Sequence, residues 1–260
     1  MNREHGETVA RDAAAHGQRL LDRIIALGID YGREDSFKMS AGRLLADRFL
    51  IGLRARELST RSILDVAAGI GMPEPLVSAL LAQLPRADVV LFGMEDGDAG
   101  LIYKAYLEFW EEIRRTVRAT GSTAPALMNL GFKWQADGVA KPVVSRYTCY
   151  PMLDLAGILA RVRRIHAGHE DQPSGGAARS LIERAAARGA PFIYLEVGEE
   201  GTPRSSYDIN LYRANLTLAE VEPIVRETAR RYALPEDRFL AFYSGIRARP
   251  LGHLSGGVGR

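Results

Sequence analysis

The spacing of hydrophobic and polar residues changes near residue 87 of this 260-residue chain. Before that point, apolar side chains recur at helical spacing. After it, segments in which apolar and polar residues alternate come in pairs, and a helical segment follows each pair. The pattern predicts an α/β protein of antiparallel hairpin–helix repeats. It divides the chain into a helical N-terminal layer, residues 1–86, and a hairpin–helix repeat region, residues 87–260, within one structural domain.

Three helices are predicted in the N-terminal layer. The first covers residues 7–28, and the third covers residues 73–84 and begins with a proline, which is favoured in the first helical turn. The second is predicted over residues 40–58, with Ser40 as its N-cap, because its apolar residues recur at about one helical turn. Those residues are Leu44, Leu45, Phe49 and Leu53.

The clearest repeat begins with residues 87–108, ADVVLFGMEDGDAGLIYKAYLE, which read as two strands joined by a turn rich in aspartate and glycine. The first predicted unit has strands 89–95 and 101–109 and a helix over 110–120, and the second has strands 127–135 and 143–150 and a helix over 153–166. The third has strands 192–197 and 207–212 and a helix over 217–232. This last helix begins with a capping box at Thr217 and Glu220. Between the second and third units we expect a mobile loop over 168–176 and a helix over 177–188. A fourth strand is predicted over 239–246, and the glycine-rich end of the chain is expected to be disordered or to form a lid.

The second strand of each unit has one face that is polar and ends in a tyrosine, because side chains alternate between the two faces of a strand. The residues of these faces are Lys104, Tyr106 and Glu108, then Arg146, Thr148 and Tyr150, then Asp208, Asn210 and Tyr212. Two arrangements are open. The polar faces are solvated, as in many antiparallel sheets, or the sheet curls with its helices outside and the polar faces line a lumen.

Composition excludes several classes of protein. The formal charge is only +2, from 34 basic and 32 acidic residues, so the overall charge gives no support for nucleic-acid binding. A single cysteine, Cys149, excludes an internal disulfide and a multi-cysteine zinc site. Neither an apolar run of the roughly 20 residues that span a membrane nor a secretory signal is present. A cytoplasmic location without membrane association is therefore expected.

Residues 62–71, SILDVAAGIG, offer one alternative function. An apolar run followed by glycines, with a later strand that ends at Glu95, resembles the start of an S-adenosylmethionine-dependent methyltransferase. In that family the glycines let the backbone approach the cofactor, and the later carboxylate binds the ribose hydroxyls. The competing interpretation is a helix end with a glycine-rich turn.

The strand pattern resembles that of the aromatic prenyltransferases with the αββα barrel. The K-x-Y signature of that family matches Lys104-Ala105-Tyr106, and the later units keep Tyr150 and Tyr212 but carry Thr148 and Asn210 in place of the lysine. Lys133, in LGFKWQ, matches the corresponding strand more loosely. The resemblance covers residues 87–246. It implies a full or partial barrel, since the chain supplies three and a half predicted hairpins where the family has about five.

The resemblance implies a metal-independent transferase of secondary metabolism, without a cofactor, that moves a prenyl group from an allylic diphosphate to an aromatic or indole acceptor. The acceptor is a small molecule or a peptide. Cations and hydroxyl donors stabilise the leaving diphosphate, and tyrosine faces stabilise the allyl cation. The implied substrate-binding residues are Lys104, Tyr106, Lys133, Arg146, Tyr150, Tyr194, Asn210, Tyr212, Tyr243 and Arg247. Glu95, Glu108 or Glu196 would orient or deprotonate the acceptor.

Other patterns favour less specific interpretations. A non-catalytic binding protein, with an open sheet edge for a partner chain, is the alternative from another functional class, and a homo- or hetero-oligomer is compatible with the sequence. His166 and His169 have the spacing of two metal ligands, but their place at a helix end is more typical of a solvated polar segment. The basic residues Arg161, Arg163 and Arg164 are likewise typical of a solvated helix face.

Overall fold

The structure is a computed structural model that describes residues 2–97, 100–202 and 205–258, with side chains described from residue 13 onward. Helices and strands alternate along the described residues. The helices are α1 (Asn2–Ile25), α2 (Thr60–Gly69), α3 (Glu74–Gln83), α4 (Trp110–Thr120), α5 (Leu155–Ile165), α6 (Pro173–Ala186), α7 (Leu218–Arg231) and α8 (Glu236–Ile246). The strands are β1 (Gly32–Ser40), β2 (Arg43–Arg54), β3 (Val89–Gly97), β4 (Gly100–Glu108), β5 (Ala126–Gln135), β6 (Val143–Cys149), β7 (Ile193–Glu199), β8 (Ser205–Asn210) and β9 (His253–Val258).

The strands lie side by side in the order of the chain, from β1 to β9. Antiparallel pairing joins β2 to β3, β3 to β4, β4 to β5, β7 to β8 and β8 to β9. Only a few residues separate β3 from β4 and β7 from β8, and a turn is enough to join antiparallel strands, whereas helices lie between the strands of the other three pairs. The predicted fold class, α/β with antiparallel hairpin–helix repeats, is confirmed.

Most elements of the three repeats lie where the sequence places them. Strands β3 and β4 and helix α4 follow the predicted bounds to within two residues. The capping box is also present at the start of α7, where Glu220 accepts hydrogen bonds from the backbone and hydroxyl of Thr217. The predicted loop over 168–176 is wrong in its second half, because Pro173 begins α6.

The helix predicted over residues 40–58 is wrong, since this segment forms the end of β1 and all of β2. Gly42 takes a φ of +67° in the turn between the two strands. Phe49, Ile51 and Leu53 are buried and alternate along β2. This two-residue period identifies a strand, whereas Leu44, Leu45, Phe49 and Leu53 also fit helical spacing.

Both predictions for the last 22 residues are wrong. The strand expected over 239–246 is helix α8, which begins after Pro235 and stacks Phe239 on Tyr243, one helical turn apart. The end of the chain, expected to be a disordered tail or a lid, forms β9 and pairs with β8 over residues 253–258. Pairing with a neighbouring strand compensates for the weak strand propensity of its two glycines.

The segment 62–71 is helical. Ser59 caps α2 by accepting a hydrogen bond from the Ser62 amide, and Gly71 takes a φ of +64° in the turn beyond the helix. A methyltransferase opening needs a strand before its glycines. The methyltransferase hypothesis is therefore wrong for this segment, and the interpretation as a helix end with a glycine-rich turn is confirmed.

Contacts within the chain define two compact units. Unit 1 comprises Met1–Lys38, Leu45–Arg114 and Asn129–Ser145, and unit 2 comprises Met39–Leu44, Arg115–Met128 and Arg146–Arg260. The predicted division of the chain at residue 87 stays a prediction. None of the helices in the described ranges combines the length and the hydrophobicity that crossing a bilayer requires.

The core of unit 1 lies on one side of its strands. Helix α1 covers this side, and His16 of α1 bonds to the Tyr103 hydroxyl at 2.7 Å. The Trp134 indole donates to the carbonyl of Ile70 at 3.2 Å, which fixes the end of α2 against the sheet. The buried strand residues on this side are Phe49, Ile51, Leu53, Val90, Phe92, Met94, Tyr103, Ala105, Leu107, Leu130, Phe132 and Trp134.

In unit 2 the helices pack on β7, β8 and β9. Tyr207 of β8 contacts His166, the residue after α5, with ring centroids 5.9 Å apart. Tyr243 of α8 is buried, and its hydroxyl donates to the Leu218 carbonyl at 2.7 Å. These contacts leave the opposite side of the β8–β9 pair to polar residues.

Gly93 of β3 is expected to tolerate no side chain. A Cβ there would overlap the Phe49 carbonyl oxygen of the neighbouring strand. Gly93→Ala should therefore lower the free energy of unfolding by about 1–3 kcal/mol, as overpacking does. Gly52→Ala is the matched control, because its nearest atom, a Val89 methyl, lies at 3.7 Å, an ordinary contact. Urea unfolding measures both variants, and equal losses of stability would contradict the expectation.

Candidate functional site

Four neighbouring strands of unit 1 carry a second set of side chains on the side of the sheet opposite the apolar core. We call this side the polar face. Its residues form four cross-strand rows, fixed by the registers of the β2–β3, β3–β4 and β4–β5 pairs. In order along the strands, the rows are Arg48–Glu95–Ile102–Gln135, Leu50–Gly93–Lys104–Lys133, Gly52–Leu91–Tyr106–Gly131 and Arg54–Val89–Glu108–Asn129.

The first two rows hold a buried cluster of charges. Glu95 accepts hydrogen bonds from Arg48, at 2.9 Å, and from Lys104. Lys104 is only 7% exposed, which is rare for a lysine. Lys133 lies directly opposite Lys104 in the β4–β5 ladder, although like charges in opposed positions destabilise a sheet. The cluster therefore holds three cations against one carboxylate.

Burial and neighbouring charges set the protonation states of this cluster. Burial alone would raise the pKa of Glu95, but Lys104 and Arg48 lower it to about 2. Burial lowers the pKa of Lys104 to about 8, and the charge of Glu95 limits that decrease. Glu95 is consequently ionised and a weak base at neutral pH. Arg48, Lys104 and Lys133 are the cationic side chains of these rows, and groups of this kind are suited to an anion.

The third row holds one tyrosine, which has a leucine on one side and a glycine on the other. Tyr106 is buried, with 8% of its surface exposed, and it lies between Leu91 of β3 and Gly131 of β5. The last row places Glu108 opposite Asn129. Along the strands, the polar face thus has cations in its first two rows, an aromatic ring in the third row, and a carboxylate and an amide in the fourth row.

Burial of Lys104 and Tyr106 decides between the two arrangements predicted for this strand. A solvated polar face would leave both side chains exposed, and neither is. The sequence brings Glu95, Lys104, Tyr106, Glu108 and Lys133 to one face, as the alternation of strand residues predicts. It missed Arg48, because the segment that contains Arg48 was predicted to be a helix.

Glu196 of unit 2 is the centre of a second charged cluster. Its carboxylate accepts hydrogen bonds from Arg161 and Arg164 of α5, both at 2.8 Å, and from the hydroxyls of Tyr150, at 3.0 Å, and Tyr194, at 3.2 Å. Burial alone would raise the pKa of Glu196, but the bonds from Arg161 and Tyr150 lower it. An ionised carboxylate with four donors fastens α5 to β7 and is poorly placed to act as a base.

The arginines of α5 correct one expectation from the sequence. Arg161 and Arg164 are bound to Glu196, and the Arg161 guanidinium also lies 3.7 Å from the centroid of the Tyr150 ring. The solvated helix face predicted for Arg161, Arg163 and Arg164 is therefore wrong for Arg161, whereas Arg164 binds Glu196 with its side chain 63% exposed. The sequence signal that could have revealed this was the carboxylate of Glu196 on an apolar strand.

The β7–β8 register separates two groups of predicted site residues. Glu196 lies opposite Tyr207 and Tyr194 lies opposite Ile209, whereas Asp208 lies opposite Leu195. Tyr194 and Glu196 are consequently on the helix-covered side, and Asp208 and Asn210 are on the other side. Arg146 lies on β6 and is exposed.

A third cluster occupies the polar side of β8 and β9. Asp208 binds the Nδ1 atom of His253 at 2.7 Å and also accepts a hydrogen bond from Ser255. Asn210 lies 3.4 Å from the Nε2 atom of His253. The sequence missed this cluster because the segment that carries His253 and Ser255 was predicted to be a disordered tail or a lid.

Two predicted site residues, Tyr212 and Tyr243, do not lie on the expected strands. Tyr212 lies in a 3₁₀ turn after β8, is 47% exposed and contacts the edge of His253. Tyr243 is part of the packing of α8, and Arg247 follows α8 and pairs with Glu222 at 2.9 Å. The strand placement of Tyr243 is wrong because helix α8 begins after Pro235.

The possible metal ligands do not assemble into a site. Among the described side chains, no group of three or more histidine, cysteine, aspartate or glutamate residues could hold an ion. His166 is buried beside Tyr207, and burial lowers its pKa. It has the surroundings of a core histidine.

Comparison with known proteins places this geometry in a familiar fold. No protein-family model and no curated protein matches the chain. Among solved structures, the chain is similar to 6-dimethylallyltryptophan synthase from Micromonospora olivasterospora, determined in complex with DMASPP and Trp. The TM-score is 0.51 at 12% sequence identity, and the similarity covers 88% of this chain and 79% of that chain. The chain therefore shares its fold with an aromatic prenyltransferase, and the resemblance drawn from its strand pattern is confirmed at the level of the fold.

Proposed function

We propose that this protein transfers a prenyl group from an allylic diphosphate to an aromatic acceptor, and that the polar face of unit 1 carries the reaction. The observation behind this proposal is that buried Lys104 lies opposite half-buried Lys133, with buried Tyr106 in the next row. The shared fold supports it, since the similar synthase was solved with an allylic thiodiphosphate and tryptophan.

The diphosphate would bind at the cations. Lys104, Lys133 and Arg48 supply cationic side chains to neighbouring rows, and Lys104 lies out of water, where its charge is less screened. Preorganised cations of this kind stabilise the negative charge that grows on a departing diphosphate. In this proposal, Glu95 holds Lys104 and Arg48 in position and takes no part in proton transfer.

The prenyl group would react beside Tyr106. The bond between the allylic carbon and the diphosphate oxygen breaks, and its electron pair leaves with the diphosphate. The face of Tyr106 stabilises the allyl cation through its ring quadrupole. Two π electrons of the aromatic ring then form the new bond to the allylic carbon, and the proton on the attacked ring atom passes to a base. Glu108 is the carboxylate of the polar face in the row next to Tyr106, and we assign it this role.

Several properties stay predictions. Independence of metal ions, the cytoplasmic location, the oligomeric state and the substrate contacts of Arg146, Tyr150, Tyr194, Asn210 and Tyr212 depend on the resemblance to the family. Tyr150 and Tyr194 reach such a role only if their bonds to Glu196 are compatible with it.

Two measurements on the unmodified protein test the proposal. Calorimetric titration should show binding of dimethylallyl thiodiphosphate and no binding of S-adenosylhomocysteine. Incubation with dimethylallyl diphosphate and tryptophan, with and without a chelator, should yield prenylated tryptophan by mass spectrometry. If the thiodiphosphate does not bind and no acceptor in a panel of indoles and phenols is prenylated, the proposal is wrong. Co-purification of a stoichiometric partner chain would then favour a binding protein.

A further inference from the structure

Asn129 has a polar atom that its surroundings leave unsatisfied. It lies on β5 in the fourth row of the polar face, directly opposite Glu108. Its Oδ1 atom is buried, and among the described residues it has no hydrogen-bond partner. Most buried polar atoms in proteins are paired, so an orphan acceptor at a candidate site calls for a donor from elsewhere.

The fourth row has the composition of an acceptor site. Asn129 supplies a carbonyl oxygen and Glu108 a carboxylate, while the guanidinium of Arg54, at the far end of the row, donates to Glu57 at 2.8 Å. The row lies two rows from Lys104 and Lys133, a separation of about 13 Å along the strands. The two ends of the polar face therefore have opposite preferences: an anion at the cations and a hydrogen-bond donor at Asn129.

We propose that Asn129 determines acceptor specificity, because its side-chain oxygen accepts a hydrogen bond from the ring N–H of a heteroaromatic acceptor of the indole type. This inference rests on the proposed function and names the acceptor class for the same site. An acceptor whose ring nitrogen is methylated leaves the buried oxygen without a donor. A site built around such a hydrogen bond discriminates against ligands that lack it.

The inference predicts opposite effects on stability and recognition. Asn129→Leu keeps the branched shape of the side chain, with the same number of heavy atoms, and removes the unsatisfied oxygen, so the melting temperature of the free protein should stay the same or rise. The same variant should lose about tenfold of the preference for tryptophan over 1-methyltryptophan. Asn129→Asp keeps an acceptor at this position and should retain the preference.

The experiment measures calorimetric dissociation constants of tryptophan and 1-methyltryptophan, with thiodiphosphate present, for the wild type and both variants. Melting curves and prenylation rates accompany the titrations. A lower melting temperature of Asn129→Leu with an unchanged preference would show that Asn129 is structural and would overturn the inference. Equal binding of the two ligands by the wild type, or binding of neither, would overturn it as well.

Failure of the proposed reaction gives a different result. If the wild type and Asn129→Leu differ in their preference for the N–H ligand but neither forms a prenylated product, recognition by Asn129 holds and the transferase assignment fails. If the wild type prenylates tryptophan and Asn129→Leu discriminates as well as the wild type, the transferase assignment holds and the role of Asn129 fails.

Discussion

Replacement of Lys104 by methionine is expected to lower kcat/KM for prenyl transfer by about 10²–10³-fold and to weaken binding of dimethylallyl thiodiphosphate. Removal of one preorganised group that stabilises transition-state charge has effects of this size. Methionine fills most of the space of the buried aliphatic stem, so the loss reports the charge more than the packing. The measurements are steady-state rates with tryptophan as acceptor and a calorimetric titration with the thiodiphosphate.

The pH dependence of diphosphate binding is a second test of the charge on Lys104. Burial lowers the pKa of Lys104 to about 8, so the free protein loses this charge as the pH rises through about 8. A bound diphosphate favours the charged form, and binding above pH 8 should consequently take up a proton. Affinity should fall between pH 7 and pH 9 in the wild type, and the Lys104 contribution to that fall should be absent from Lys104→Met.

Lys141→Met is the matched control, because Lys141 is an exposed lysine in the loop between β5 and β6. It should leave binding and kcat/KM within about twofold, since an exposed charge outside the site contributes little. If the wild type and Lys104→Met bind the thiodiphosphate with equal affinity, the proposed binding of the diphosphate at the cations of the polar face is wrong.

The sequence predicts the centre of the polar face because two independent signals agree there. The aspartate–glycine turn before β4 fixes the hairpin, and strict alternation places Lys104 and Tyr106 on one face. Arg48 was not predicted as a site residue, because the signals in its segment conflict. Its segment satisfies a helical spacing and a strand spacing at once, and the contacts of β2 with β3 decide between them.

In unit 2, the sequence pattern of each strand does not determine which faces of neighbouring strands lie on the same side of the sheet. Tyr194 and Asp208 belong to adjacent strands, and their relative faces depend on the β7–β8 register, in which a shift of one residue would exchange the faces. Strand β9 depends on tertiary pairing even more, because His253 and Ser255 stand in a glycine-rich segment with weak strand propensity. The cluster around Asp208 exists only once that pairing has formed.

Replacement of Glu95 by glutamine is expected to lower the free energy of unfolding by about 3–5 kcal/mol at pH 6–7, the effect of breaking a buried ion pair from one side. Arg48 and Lys104 would lose their shared carboxylate on the buried polar face. Glu112→Gln is the control. Its pair with Arg86 is more than 40% exposed on both sides, so its removal should have an effect below about 1 kcal/mol.

The difference in stability between wild type and Glu95→Gln should be greatest just above about pH 5 and should shrink on both the acidic and the alkaline side. The folded state lowers the pKa of Glu95 to about 2 from its usual 4.5, so the stability that this group gives the wild type is present above pH 4.5 and is lost as the pH falls towards 2. On the alkaline side, Lys104 without Glu95 has a pKa lowered further below 10.5. The variant therefore begins to regain stability at a lower pH than the wild type, in which the folded Lys104 has a pKa of about 8, so the difference shrinks as the pH rises towards 8.

Urea unfolding from pH 3 to pH 10 measures this difference, and a double variant identifies its origin. If the unpaired charge of Lys104 causes most of the loss, Glu95→Gln combined with Lys104→Met should be more stable than Glu95→Gln alone. A difference that is independent of pH, or a double variant that is less stable than both single variants, would mean that the Glu95 side chain stabilises unit 1 through its packing. Side-chain packing would then stabilise the polar face. Arg48 and Lys104 would stay charged without Glu95, even when no anionic ligand is bound.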